Sequence, residues 1–163
     1  MQFLTSSTLL YIRILFLLVL SFYCLKDPNM LLNSNFSLIL GQAMRLPIVQ
    51  MKSKNPLVGI LSIAFASNAL ADLSPLLSKN IAYFETLVPI RLFIFFGLTS
   101  YAYLGNVDYV CNNIVFVYSF FEVWFNFLIY NNLRDEKYYR LKKLVADNEG
   151  RLEDDRVRVA EVD

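Results

Sequence analysis

The chain of 163 residues is 56% hydrophobic and 15% aromatic, has a positive mean hydropathy and carries a formal net charge of +1. Such a composition excludes an ordinary soluble domain and describes one small all-α polytopic membrane domain. The chain has no histidine, which removes Cys/His zinc sites and histidine acid–base chemistry, and its charges crowd after Leu133 with mixed sign instead of forming the basic face that a nucleic acid requires.

A helix needs about 20 mostly apolar residues to cross the hydrocarbon core, with roughly 17 to 25 allowed by tilt and local thinning. The first such stretch is residues 9–25, LLYIRILFLLVLSFYCL. It lacks a basic n-region and a small-x-small cleavage site before Lys26, so it reads as a retained anchor and not a signal peptide. One arginine in the first 25 residues, without an amphipathic Arg/Ser pattern, also argues against a mitochondrial presequence.

Next comes Lys26 to Asn55, whose middle reads FSLILGQAMRLPIV. Gln42 and Arg45 interrupt it and it is short for a span, so residues 30–50 are expected to lie in the membrane interface, with a re-entrant or fifth spanning element as the alternative. A fifth span would put the termini on opposite sides.

Residues 56–77, 86–104 and 109–130 complete a predicted bundle of four transmembrane helices. Their connections, 78–85 and 105–108, are short, which predicts antiparallel neighbours in a compact bundle. Residues 134–163 form the predicted cytosolic part. There NNLRDEKYYRLKKLV continues the fourth helix, with Glu136 placed four before Arg140, and the mixed charges after Ala146 predict a flexible tail.

Orientation follows from basic residues near the span ends. Eight lie in the tail and one, Lys79, in the 78–85 connection; four lie on the other side, between Lys26 and Lys54. The count favours both termini in the cytosol. Asn35-Phe36-Ser37 is a glycosylation sequon that would then face a lumen, although such triplets also arise by chance.

Four ionisable residues interrupt the spans: Arg13, Asp72, Arg91 and Glu122. Each costs about 2.5 to 3.5 kcal/mol at the centre of a lipid-facing helix, so each is expected to face protein, water or headgroups. Arg91 follows Pro89, a pattern that suits a first helical turn and a snorkelling side chain. The short acids cannot snorkel far. Asp72 and Arg91 sit at similar depth across a hairpin and are expected to pair, while Arg13 is placed to reach toward Glu122.

Asn68 and Asp72 share one face of the second span, and Asn112, Ser119, Glu122, Asn126 and Tyr130 share a stripe of the fourth. The candidate intramembrane polar cluster is therefore Arg13, Asn68, Asp72, Arg91, Glu122 and Asn126. It reads either as interhelical glue or as a polar cavity, proton relay or lipid-headgroup site. Gly59, Ser62, Ala64, Ala66, Ser67, Ala69 and Ala71 would let a neighbouring helix approach the second span closely. Cys24 and Cys111 fit better as small apolar fillers than as a disulfide. With no phosphate loop, nucleophile elbow or metal-spaced acids, no catalytic residue, cofactor or metal is expected.

The stretch DLSPLLSKNIAYFETLVPIRLFIFFGLTSYAYL, followed by NNIVFVYSFFEVWFNFLIYNNLRDEK, resembles the fungal family named for increased loss of mitochondrial DNA. The likeness reaches back through FYCLKD and LGQAMRLP. It implies a multi-pass protein of the endoplasmic reticulum membrane with no known catalytic residue. The economical expectation is an accessory or scaffold subunit of an assembly that handles lipids or membrane proteins, acting on mitochondrial DNA indirectly. Its expected partners are membrane lipids and another integral membrane protein or complex, and not nucleic acid. A transporter or channel subunit, or a lipid-binding protein, using the polar cluster is the alternative.

Overall fold

The computed structural model describes residues 5–49, 55–107 and 109–162, the stretch 150–162 by its backbone alone. Lys52, Lys54 and Asp108, which entered the reading of the loops, lie outside the described residues. Helix α1 is Ser6–Lys26, opened by the side chain of Thr5, which accepts from the Thr8 N–H. Asp27 ends α1 and its carboxylate caps α2, Pro28–Leu32, by accepting from Asn29 N. Ser34 caps α3, Asn35–Ala43, and the chain turns away just after it at Arg45, a residue with φ of 54°.

Helix α4, Pro56–Leu77, begins with proline just inside its Asn55 cap, where a missing N–H costs nothing. Lys79 (φ 54°) makes the turn, and Asn80 caps α5, Ile81–Leu104. Helix α6, Asn113–Val162, follows. Among the described residues, four helices are long and apolar enough to cross a membrane: α1, α4, α5 and the first part of α6.

Packing follows the sequence pattern of α4. Its inward residues, Val58, Ser62, Phe65, Ala69, Asp72 and Leu76, alternate spacings of four and three, the seam of a left-handed helix pair. They meet an equivalent seam on α1 that includes Arg13, Leu17, Ser21 and Cys24. Ser21 and Ser62 clasp each other, each hydroxyl donating to the other's carbonyl at 3.0 and 2.9 Å. Small side chains at this crossing bring the backbones together, as membrane helices commonly do. The apolar centre comprises Leu9, Leu10, Ile14, Leu17, Ala69, Leu76, Phe84, Val88, Ile129 and Leu133.

The order across the bundle is α4, α1, α6, α5, with α1 antiparallel to both α4 and α6. Hairpin neighbours α4 and α5 make few contacts and are linked through the Asp72–Arg91 ion pair. The reason lies in the side chains: α4 spends its small seam on α1, and α5 packs along α6. Because α1 and α4 are antiparallel, the α2–α3 segment returns the chain to the same end of the bundle. Nine residues of α3 span only about 13.5 Å, too short to cross.

Two other boundaries differ from the sequence pattern. Helix α5 starts at Ile81, several residues before the hydropathy rise, because Asn80 accepts from Tyr83 N and Glu85 is neutralised by Lys137 and Arg140. Pro89 therefore lies inside the helix and not in its first turn. Residues beyond Ala146, expected to be flexible, continue α6 to Val162. That stretch contains no proline, and its three Glu and three Arg are residues with low helix cost.

Candidate functional site

Arg13 stands about 10.5 Å along α1 and Arg91 about 15 Å along α5, each measured from the first residue of its helix. Neither is left to snorkel. The Arg13 guanidinium forks onto Glu122 of α6, Nε donating to Oε2 at 2.9 Å and Nη2 to Oε1 at 3.0 Å. Its Nη1 donates to Oδ2 of Asp72 on α4. Arg91 Nη1 donates to the same Asp72 oxygen at 2.7 Å. One cluster thus ties all four long helices together.

The Glu122 carboxylate takes two further donors, the Tyr118 hydroxyl at 3.1 Å and Asn126 Nδ2 at 3.0 Å. Asp72 and Glu122 are fully buried, Arg13 is 3% exposed, and only Arg91 keeps partial access. Two cations meet two anions, so the cluster is formally neutral. Asp72 Oδ1 and Asn126 Oδ1 remain as buried acceptors without a protein donor. Forked, charge-assisted bonds are strong and directional, which suits a device that fixes helix rotation and register. A relay would instead require a carboxylate that reaches water.

Of the residues singled out from sequence, the structure brings together Arg13, Asp72, Arg91, Glu122 and Asn126. It places Asn68 elsewhere: this side chain is exposed and donates to the Ala64 carbonyl of its own helix at 3.1 Å. The α4 seam runs through Ala69 and Asp72, and the four-residue spacing from Asn68 to Asp72 is too coarse to locate the seam's edge. Tyr130 likewise stays exposed, while Asn112 and Ser119 are buried. Asn35 is exposed at the start of α3, but the hydroxyl of its sequon, Ser37, is buried and accepts from Asn113 Nδ2 at 3.2 Å. Cys24 and Cys111 are both buried and free. Among the described residues no metal-binding group of His, Cys, Asp and Glu is assembled.

Several partners escaped the sequence pattern. Tyr118 was signalled by its position one turn before Glu122 on the same face. Glu136 does not pair with Arg140 along the helix. It caps α1 instead, accepting from Ser6 N at 2.8 Å and from the Ser6 hydroxyl at 2.6 Å. Lys137, at 3.1 Å, and Arg140 both hold Glu85 of α5. Asn113, fully buried, donates to Ser37 and accepts from Val49 N at 3.0 Å, while its backbone N–H donates to Pro47 O at 3.2 Å. Nothing in a local window marks these long-range partners.

Such a bundle, with its ionic cross-link among helices long and apolar enough to span a bilayer, defines a polytopic α-helical membrane protein. A sequence model of the family described as increased loss of mitochondrial DNA protein 1 matches residues 4–111, and the chain belongs to that family. Protein ILM1 of Saccharomyces cerevisiae is 43% identical over 144 residues, covering 88% of this chain and 71% of that protein. Protein ilm1 of Schizosaccharomyces pombe is 22% identical over 135 residues, 76% of this chain and 84% of that protein. No solved structure matches. The family match includes Arg13, Asp72 and Arg91 and ends before Glu122.

Proposed function

We propose that this protein is a non-catalytic accessory or scaffold subunit of a larger assembly in the endoplasmic reticulum membrane, with both termini in the cytosol. It supports mitochondrial DNA maintenance, the property for which its family is named, indirectly through lipid supply or membrane-protein handling. The observation that carries this reading is the outward face of α4. Ala64, Asn68 and Ala71, spaced by four and three residues, are exposed together with Ser67. Asn68 lies roughly 18 Å along a helix of about 33 Å, near its middle. An amide among small residues at that position suits a second helix, which would approach closely and bond the amide.

The charge cluster supports the same reading. Its acids are sealed and its charges are matched inside the chain, so it serves the bundle's own assembly and offers no path for an ion or proton. Copurification from gently solubilised native membranes tests the proposal by comparing wild type with Asn68→Leu. A stoichiometric membrane partner that is lost in the variant, while the bundle stays folded, is expected. Recovery of the wild-type chain by itself would overturn the subunit reading.

A further inference from the structure

Toward the end of the bundle away from the charge cluster, α6 stands apart from the closely packed α1–α4 pair and leaves a cavity of about 290 Å³ that α2 and α3 cover. Phe16, Leu20, Leu31, Leu61, Phe65 and Ile114 line it. Its polar atoms are already engaged. Ser34 Oγ donates to Leu31 O at 2.9 Å, Ser37 Oγ accepts from Asn113, and the Tyr118 hydroxyl donates to Glu122. A buried water needs two to four polar partners, and these walls have few to give. The mouth is marked by Leu61 and Phe36, which stay 41% and 50% exposed.

The cover stands over the cavity without filling it because polar bonds fix it from one side. Asn113 grips Ser37, Pro47 and Val49, and Gly41 lets α3 sit so close that an added Cβ would lie 2.7 Å from Asn113 Cβ. The space is thus a built feature of the fold. The cover selects the occupant. A helix about 10 Å wide could enter only by displacing α2 and α3, which the Asn113 bonds and the Phe36–Phe121 ring contact tie to α6. A slender hydrocarbon chain fits, and hydrocarbon is the medium against which a membrane-spanning bundle opens.

We propose that this cavity is a binding site for one acyl chain of a membrane lipid, seated between α1, α4 and α6 beneath the α2–α3 cover. The site is separate from the α4 face that serves a partner helix, and it needs neither Asn68 nor a second protein.

The test uses the full chain in phosphatidylcholine vesicles containing a trace of phosphatidylcholine with a photoactivatable diazirine on its acyl chain. A parallel sample carries a photoactivatable sterol. Labelled positions are mapped by mass spectrometry in wild type, in Leu61→Trp, which plugs the mouth, and in Ile63→Trp, which adds the same bulk on the outward face of α4. Acyl labelling should concentrate on Leu20, Leu61 and Ile114, exceed that at the more exposed Ile63 several-fold, and collapse at Leu20 and Ile114 in Leu61→Trp but not in Ile63→Trp. If Leu61→Trp fails to assemble, Ile114→Phe blocks the cavity from the α6 wall, with loss of labelling at Leu20 and Leu61 as the readout. Labelling that merely follows exposure and ignores the plug, or capture of the sterol alone, would overturn the assignment.

Discussion

At the end of the bundle where α1 and α5 begin, charged and polar side chains bond across helices at two levels. Arg13, Asp72, Arg91 and Glu122 form the inner level, and Glu136 on Ser6 with Lys137 and Arg140 on Glu85 forms the outer one. At the opposite end α6 parts from the α1–α4 pair around an apolar cavity, and the polar bonds there include the Ser21–Ser62 clasp and the Asn113 anchor that holds the cover. The contrast shows how a small membrane bundle resolves two demands. Packing among apolar side chains gives helices in lipid little preference for one another over the surrounding tails, so directional bonds must set register. Once one end is fixed in this way, the other can stay open without losing the fold.

The sharpest way to break this contrast is to remove the hub of the closed end. Arg13→Ala leaves two buried carboxylates with one cation and is expected to cost about 3 to 5 kcal/mol, read as a fall in the thermal unfolding midpoint in detergent. A change within the error of the scan would show that the cluster does not fix the bundle.

A smaller effect should separate the two ends. Asn113→Ala removes the side-chain bonds to Ser37 and Val49 and is expected to cost about 2 kcal/mol, confined to the cover. Hydrogen exchange should rise in α2 and α3 while the α1–α4 seam keeps its protection. Equal loss of protection at both ends would mean that the cover and the charge cluster are one cooperative unit.

The smallest effect belongs to the outer belt. Glu85 is partly exposed, with ion-pair partners that are more so, and Glu85→Ala should cost no more than about 1 kcal/mol and cost less still in high salt. A loss as large as that of Arg13→Ala would assign the lock to the surface and not to the interior.

Much of this architecture was legible in the residues. Four long apolar stretches in a chain of this size predict four spanning helices, and the fold is all-helical with four helices of that kind. The ionisable residues inside those stretches also announce a meeting point, because Asp72 and Glu122 are too short to escape the membrane. Less visible was anything set by contacts distant in sequence. Helix α5 starts early because residues of α6 neutralise Glu85. Asn68 faces out because the α4 seam is centred one residue further along, on Ala69. The roles of Asn113 and Glu136 depend on partners more than 60 residues away, which no helical period reveals. The cover is two short helices because Asp27 and Ser34 provide caps in quick succession, a signal present in the sequence but local to a stretch whose apolar run drew the eye to a membrane segment.

The central claim, that the buried charges form a structural lock, is tested most directly by a double-mutant cycle between Arg13 and Glu122. Arg13→Met, Glu122→Met and the double variant would be compared with wild type by thermal unfolding in the same detergent. The account predicts strong coupling: each single change leaves an unpaired buried charge, and the double variant recovers a large part of the loss. Additive losses, with the double variant as unstable as the sum of the two, would contradict it.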